Sequence, residues 1–156
     1  MKVEFSLNDR TQSIDVDPNR RLLDLLRDNF GLTSVKEGCG QGECGSCMVL
    51  MDGKAVNSCL IPVANIYGKK ITTVEGLYSS KRYKIIEQAF LDAGSVQCGF
   101  CTPGMVISIE ALLRNNPDPD EAEIKEALEG NLCRCTGYNM IVEGVQLAAE
   151  RGRGLW

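Results

Sequence analysis

Eight cysteines in a chain that has no histidine set the narrowest limits on what this sequence can become. They stand at positions 39, 44, 47, 59, 98, 101, 133 and 135, as two groups of four with a cysteine-free stretch between. Histidine is the commonest general base and the commonest nitrogen ligand, so chemistry that needs either is removed. Rieske-type centres use two histidines and are excluded outright. Disulfides, structural zinc and iron–sulfur ligation remain. A disulfide framework suits a short exported chain, whereas this chain has 156 residues and shows no export signal. Its start, Met1-Lys2-Val3-Glu4-Phe5-Ser6-Leu7, alternates polar and apolar residues instead of presenting the basic, apolar and cleavage regions of a secretory leader. No apolar run is long enough to span a bilayer. The net charge of -4 is the wrong sign for nucleic acid. The expectation is a cytoplasmic protein with neither membrane nor nucleic-acid partners.

The two groups differ in spacing. Cys39-x4-Cys44-x2-Cys47, followed by Cys59, has the plant-type ferredoxin spacing for a [2Fe–2S] cluster, whose irons take two thiolates each. Gly38, Gly40, Gly42 and Gly45 interleave with these cysteines, so the backbone can turn sharply and aim amides at the cluster sulfurs. Such hydrogen bonds stabilise the added negative charge of the reduced state. The formal G-x-G-x-x-G match over Gly40–Gly45 does not run from a core strand into a helix, so it is not read as a dinucleotide site. The second group is two pairs, Cys98-x2-Cys101 and Cys133-x-Cys135, separated by two helix-length segments. Thr102-Pro103 reads as a cap and first helical position, setting Cys101 beside a positive helix end that favours thiolate. Thr136 and Asn139 read similarly as the start of the last helix. Structural zinc is the competing occupant. Against it, the first group lacks the paired C-x2-C of a zinc ribbon, and the Cys-x-Cys of the second is unusual for zinc.

Hydrophobic periodicity organises the rest. Val3, Phe5 and Leu7 predict a half-buried strand, Asn8-Asp9 a turn, and Ile14 and Val16 a returning strand. Asp17-Pro18 predicts a helix start, Leu22, Leu23, Leu25 and Leu26 its apolar face, and Gly31 its end. Asp52-Gly53 predicts a hairpin between Cys47–Met51 and Lys54–Ser58, and Ile71–Val74 one further strand. Helical spacing then takes over at Tyr83–Ala93, Pro103–Asn115, Asp120–Glu129 and Asn139–Arg151. The boundary falls near Leu77–Ser80, with a β-rich unit before it and about four helices after it.

Three motifs occur in order: Gly38-Cys39-Gly40-Gln41-Gly42-Glu43-Cys44-Gly45-Ser46-Cys47, then Gln97-Cys98-Gly99-Phe100-Cys101-Thr102-Pro103-Gly104, then Gly130-Asn131-Leu132-Cys133-Arg134-Cys135-Thr136-Gly137-Tyr138. On these, over nearly its whole length, the sequence resembles the iron–sulfur subunit of the xanthine dehydrogenase (molybdenum hydroxylase) family. The resemblance implies an α+β chain: a β-grasp plant-type ferredoxin domain over 1–77, then an all-α four-helix-bundle [2Fe–2S]-binding domain over 78–156. It implies that Cys98, Cys101, Cys133 and Cys135 hold the cluster nearer a molybdopterin cofactor. Cys39, Cys44, Cys47 and Cys59 would hold the cluster nearer FAD. Gln97 and Cys135 match positions that hydrogen-bond the pterin; a loop amide in solvent and a plain iron ligand are their local alternatives.

The implied reaction is hydroxylation of a carbon centre at molybdenum with oxygen from water. Electrons then pass singly through two [2Fe–2S] clusters, usually to FAD. No residue of this chain is expected to be catalytic. The molybdopterin and flavin domains do not fit in 156 residues, so the resemblance implies a hetero-oligomer. Its partners are a large subunit that holds the molybdopterin and a medium subunit that binds FAD. Ser46 and Met48 depart from the alanine and threonine of many members; neither is a ligand, and the Ser46 hydroxyl is placed to raise a nearby potential slightly. Two other functions fit the cysteines: a free-standing two-cluster ferredoxin carrier, and a zinc-stabilised binding module. Gln97 and the helical half favour the relay subunit, because a diffusing carrier has little use for them. Arg151–Arg153 and Trp156 form either a partner contact or a frayed end.

Overall fold

The computed structural model describes residues 1–156. Strands β1 (Lys2–Leu7) and β2 (Arg10–Asp15) form the predicted hairpin, and Asn8 and Asp9 between them take φ of 49° and 63°. Asp52 and Gly53, at 50° and 82°, turn the chain between β3 (Met48–Met51) and β4 (Lys54–Asn57) in the same way. Positive φ at both central residues gives a turn whose twist matches its strands. β5 (Lys70–Thr72) completes a five-stranded sheet of order β2-β1-β5-β3-β4, in which β1 and β5 are parallel and the other pairs antiparallel.

Two predicted elements move. The strand expected over Ile71–Val74 stops at Thr72. The Asn8 side chain takes up both Thr73 N (2.9 Å) and Thr73 Oγ1 (3.1 Å), ending the ladder there. The helix expected from Asp17-Pro18 begins only at Leu22. Asp17 caps a turn, accepting Asn19 N at 2.9 Å. Backbone at Arg20 and Leu22 is already bonded to Val63 and Ile61, both at 2.8 Å, so it stays extended. α1 therefore covers Leu22–Asp24 and continues as a wider π turn, Leu25–Asn29. Its four leucines, 22, 23, 25 and 26, are fully buried with Val3, Val49 and Ile71, making the β-grasp core.

After the short α2 (Val74–Leu77) come α3 (Lys81–Asp92), α4 (Thr102–Asn115), α5 (Glu121–Leu128) and α6 (Asn139–Arg151), all within two residues of expectation. Ser80 caps α3, accepting Tyr83 N at 3.1 Å. A reciprocal Asp120–Glu123 box caps α5, with both bonds 2.8 Å. Ile86, Ile107, Ile109, Leu113, Ile124, Ile141 and Val145 fill the helical core, which Leu50, Val74 and Leu77 also enter. The fully buried Glu110 accepts from Arg82 Nε (3.0 Å) and Arg114 Nε (2.8 Å), tying α3 to α4. The chain end is docked and not frayed. Arg82 lies 5.9 Å from the Trp156 ring, and Arg151 pairs with Asp92 at 2.6 Å. No helix is long and apolar enough to cross a membrane.

Candidate metal centres

The first four cysteines meet where the loop after α1 closes on the β3–β4 hairpin. Cys39 and Cys44 sit on the outer side, while Cys47 and Cys59 are buried at 2% and 5% exposure. The loop wraps because its backbone reverses at Gly40, Gly42 and Gly45, all at positive φ. Its amides point inward: Gln41, Glu43 and Cys44 N–H groups donate to Cys39 Sγ at 3.3–3.4 Å, and Cys39 N donates to Cys44 Sγ at 3.3 Å. A Cβ on Gly38 would come within 2.8 Å of Cys44 Sγ, so this glycine makes room for the sulfur. Asn57 braces the loop, donating to Gly42 O at 3.0 Å. The electrostatics follow. Those amides lower the Cys39 thiol to about 6, whereas burial and then the neighbouring Cys47 push Cys59 up to about 11.

The second four cysteines meet where the loop before α4 faces the loop before α6. Cys98 Sγ and Cys135 Sγ are 3.6 Å apart and exposed. Cys101 and Cys133 lie deeper; burial and then Cys133 push the Cys101 thiol up to about 12. Burial also works against the Cys133 thiolate, but the Thr136 hydroxyl and the Cys135 and Thr136 amides outweigh it and lower its pKa. No three acid, histidine or cysteine side chains converge on one point as the ligands of a single ion do. The helix caps differ from those expected. Cys101 itself is the N-cap residue of α4, and Thr102 lies inside the helix. Tyr138 precedes α6, and the Thr136 side chain turns back to Cys133 Sγ at 3.1 Å instead of capping the helix. Gln97 is exposed on the loop entering Cys98.

The two sites sit back to back. Leu132 N donates to Cys44 O at 2.9 Å, joining a residue next to Cys133 with a cysteine of the first group. A Cβ on Gly104, in the first turn of α4, would overlap the Gly45 carbonyl; one on Gly45 would lie 2.6 Å from Asn131 Nδ2. Backbone therefore meets backbone across this seam. Beside it, Ser108 Oγ reaches Met48 Sδ (2.8 Å) and Asn131 Oδ1 (2.7 Å).

Two sets of four thiols, with amides aimed at their sulfurs and a glycine-lined cradle, suit [2Fe–2S] clusters in donor chemistry and in space. Fold and donor set together define a two-cluster iron–sulfur protein. Residues 5–65 match the family described as 2Fe-2S iron-sulfur cluster binding domain, and residues 73–146 the family described as [2Fe-2S] binding domain. The chain is 50% identical to the nicotinate dehydrogenase small FeS subunit of Eubacterium barkeri, covering 96% of this chain and 95% of that one. It is 44% identical to a probable xanthine dehydrogenase subunit of Bacillus subtilis, covering 88% and 79%. Among solved structures, it superposes on quinoline 2-oxidoreductase from Pseudomonas putida 86 with a TM-score of 0.91 at 39% identity, covering 98% of this chain and 96% of that one. The chain belongs to the small iron–sulfur subunits of the xanthine dehydrogenase (molybdenum hydroxylase) family, with two [2Fe–2S] clusters and an electron-transfer role within an oxidoreductase.

Three residues of the sites carry no advance signal in the spacing. Asn57 acts through the backbone of a loop 15 residues away and Tyr138 through the backbone of its own loop, and Thr136 reads as a helix cap until its side chain is placed. The Tyr138 hydroxyl accepts from Cys133 N and donates to Asn131 O, both at 2.9 Å.

Proposed function

We propose that this chain conducts electrons between a molybdopterin centre on a large partner subunit and FAD on a medium one. Cys98, Cys101, Cys133 and Cys135 hold the cluster on the molybdopterin side, and Cys39, Cys44, Cys47 and Cys59 the cluster on the flavin side. When bound, each cluster supplies a one-electron couple. The chain's own part is to set their spacing, wiring and surroundings. The observation that carries this reading is the Leu132 N–H···O=C Cys44 hydrogen bond of 2.9 Å. It gives a continuous route from Cys133 through Leu132 to Cys44, with no solvent gap and no mobile linker. A free-standing carrier has no need for two sites welded in this way.

Gln97 and Cys135 are exposed next to one another's loops, as residues that meet an external pterin must be. Gln97 offers an amide for hydrogen bonding, and Cys135 combines ligation with a pterin contact. The chain divides into units 1–77 and 78–156, with α2 reaching from the first into the second core. The work is cytoplasmic. Substrate is bound and hydroxylated in the molybdopterin subunit, so no catalytic residue is assigned here. Purification from the native host tests the reading. The chain is expected to bring a molybdenum-containing large subunit with it and to show two distinct reduced [2Fe–2S] signals by electron paramagnetic resonance. Cys44→Ser and Cys133→Ser are each expected to perturb a different signal. A colourless protein with stoichiometric zinc, or a chain that elutes alone without molybdenum, would sink it.

A further inference from the structure

We infer that the Thr136 hydroxyl, oriented by Tyr138, raises the reduction potential of the helical-domain cluster by donating a hydrogen bond to the Cys133 sulfur. The inference rests on the proposed ligand role of Cys133. Thr136 is buried, and its Oγ1 lies 3.1 Å from Cys133 Sγ. The direction of the bond follows from the neighbours. Thr136 Oγ1 accepts the Tyr138 N–H at 3.4 Å, and a sulfur bound to iron has no proton to give. The hydroxyl hydrogen is therefore directed to the sulfur.

Tyr138 supplies the second observation. Its φ of 73° is a left-handed conformation that a residue with a Cβ adopts only at a steric cost. The phenol compensates by bridging Cys133 N and Asn131 O, each at 2.9 Å. This pose turns the Tyr138 amide back on Thr136. Strain of this kind gathers where a site needs a particular geometry. Here it leaves Cys133 Sγ with a hydroxyl donor held at 3.1 Å by its own loop. One-electron reduction adds a negative charge, and a donor fixed at a ligand sulfur favours the reduced form. The support falls on the ligand adjacent to Leu132, at the head of the route to Cys44. Thr136 is a positioning and tuning residue; it touches no substrate.

The test is a redox titration of the assembled enzyme, following the two [2Fe–2S] signals separately by electron paramagnetic resonance. Thr136→Val keeps the shape and removes the donor. At a fixed potential it is expected to lower the reduced-to-oxidised ratio of one cluster about tenfold, about 59 mV for a one-electron couple, and to leave the other unmoved. Thr136→Ser is expected to restore the original value. Thr136→Val with both signals present and both potentials unchanged would overturn the inference. So would loss of the cluster in both Thr136→Val and Thr136→Ala, with retention in Thr136→Ser, which would make the residue structural. Unmutated enzyme with a single [2Fe–2S] signal would instead overturn the ligand assignment beneath it.

Discussion

Replacing Gly104 with alanine isolates the seam between the two sites. In the open, alanine in a helix is favoured over glycine by about 1 kcal/mol, so a gain is the expectation if the seam is slack. The structure argues the reverse. The new Cβ would overlap the Gly45 carbonyl oxygen, lie 3.1 Å from its carbon and 3.4 Å from Ser46 Cα. Carbon atoms settle at about 3.5–4.0 Å, and backbone cannot swing aside as a flexible side chain can. Overpacking of this kind costs about 1–3 kcal/mol; at a rigid contact the upper part of that range applies, leaving a net loss of about 2 kcal/mol. In a chain of this size that corresponds to a fall in Tm of about 4–8 °C. Opening the seam also stretches the Leu132–Cys44 hydrogen bond from 2.9 Å, so electrons should cross between clusters more slowly. Gly130→Ala is the control, because its Cβ would meet only Met48 Cε at 3.6 Å, an ordinary contact. Thermal unfolding, with stopped-flow reduction of the two clusters, makes the comparison. A Gly104→Ala protein as stable as Gly130→Ala, with unchanged transfer between clusters, would refute the reasoning.

Glu110→Gln removes the charge that Arg82 and Arg114 share. Because both arginines stay partly hydrated, the loss should be about 1–2 kcal/mol in chemical denaturation, with the visible spectrum unchanged; an unmoved midpoint would show that the triad adds nothing. In the iron-free chain, Cys39 should be the first thiol alkylated near pH 7, its pKa lying near 6 against the ordinary 9.0. The fold favours the ionised form, so its contribution to stability is full above about 9 and fades as pH falls through about 6. Labelling of Cys101 as fast as Cys39 at pH 7 would contradict that assignment. Ser46→Ala removes a hydroxyl 3.5 Å from Cys44 Sγ and should lower the potential of the first cluster slightly in a redox titration; no shift would dismiss the contact.

Much of this architecture is legible in local chemistry. Asn8-Asp9 and Asp52-Gly53 announce their hairpins because few residue pairs accept positive φ twice in succession. The four long helices declare themselves by periodicity, although the caps at Ser80 and Asp120 show only once the side chains are placed. Cysteine spacing reports the sites because a loop can wrap a cluster in few ways. The misreadings have one physical source, competition from hydrogen-bond partners that periodicity does not reveal. Asp17-Pro18 looks like a helix start, yet Ile61 and Val63 claim the adjoining amides and carbonyls first. Ile71–Val74 looks like a strand until Asn8 captures Thr73. Thr136 has the composition of a cap, but Tyr138 turns its hydroxyl towards sulfur. Contacts across the seam, such as Gly45 against Gly104, leave no trace in local pattern.

The unequal burial of the cysteines bears on how the protein matures. Cys47 and Cys59 close into the sheet core, whereas Cys98 and Cys135 remain at the surface. Iron and sulfide that reach Cys47 and Cys59 in the folded chain must come past Cys39 and Cys44 on the outer side of the site. Cys98 and Cys135 need no such passage, because both are exposed in the folded chain. Filling of the first site is therefore expected to depend more on opening of the fold than filling of the second, which iron and sulfide loading of the folded, metal-free chain checks.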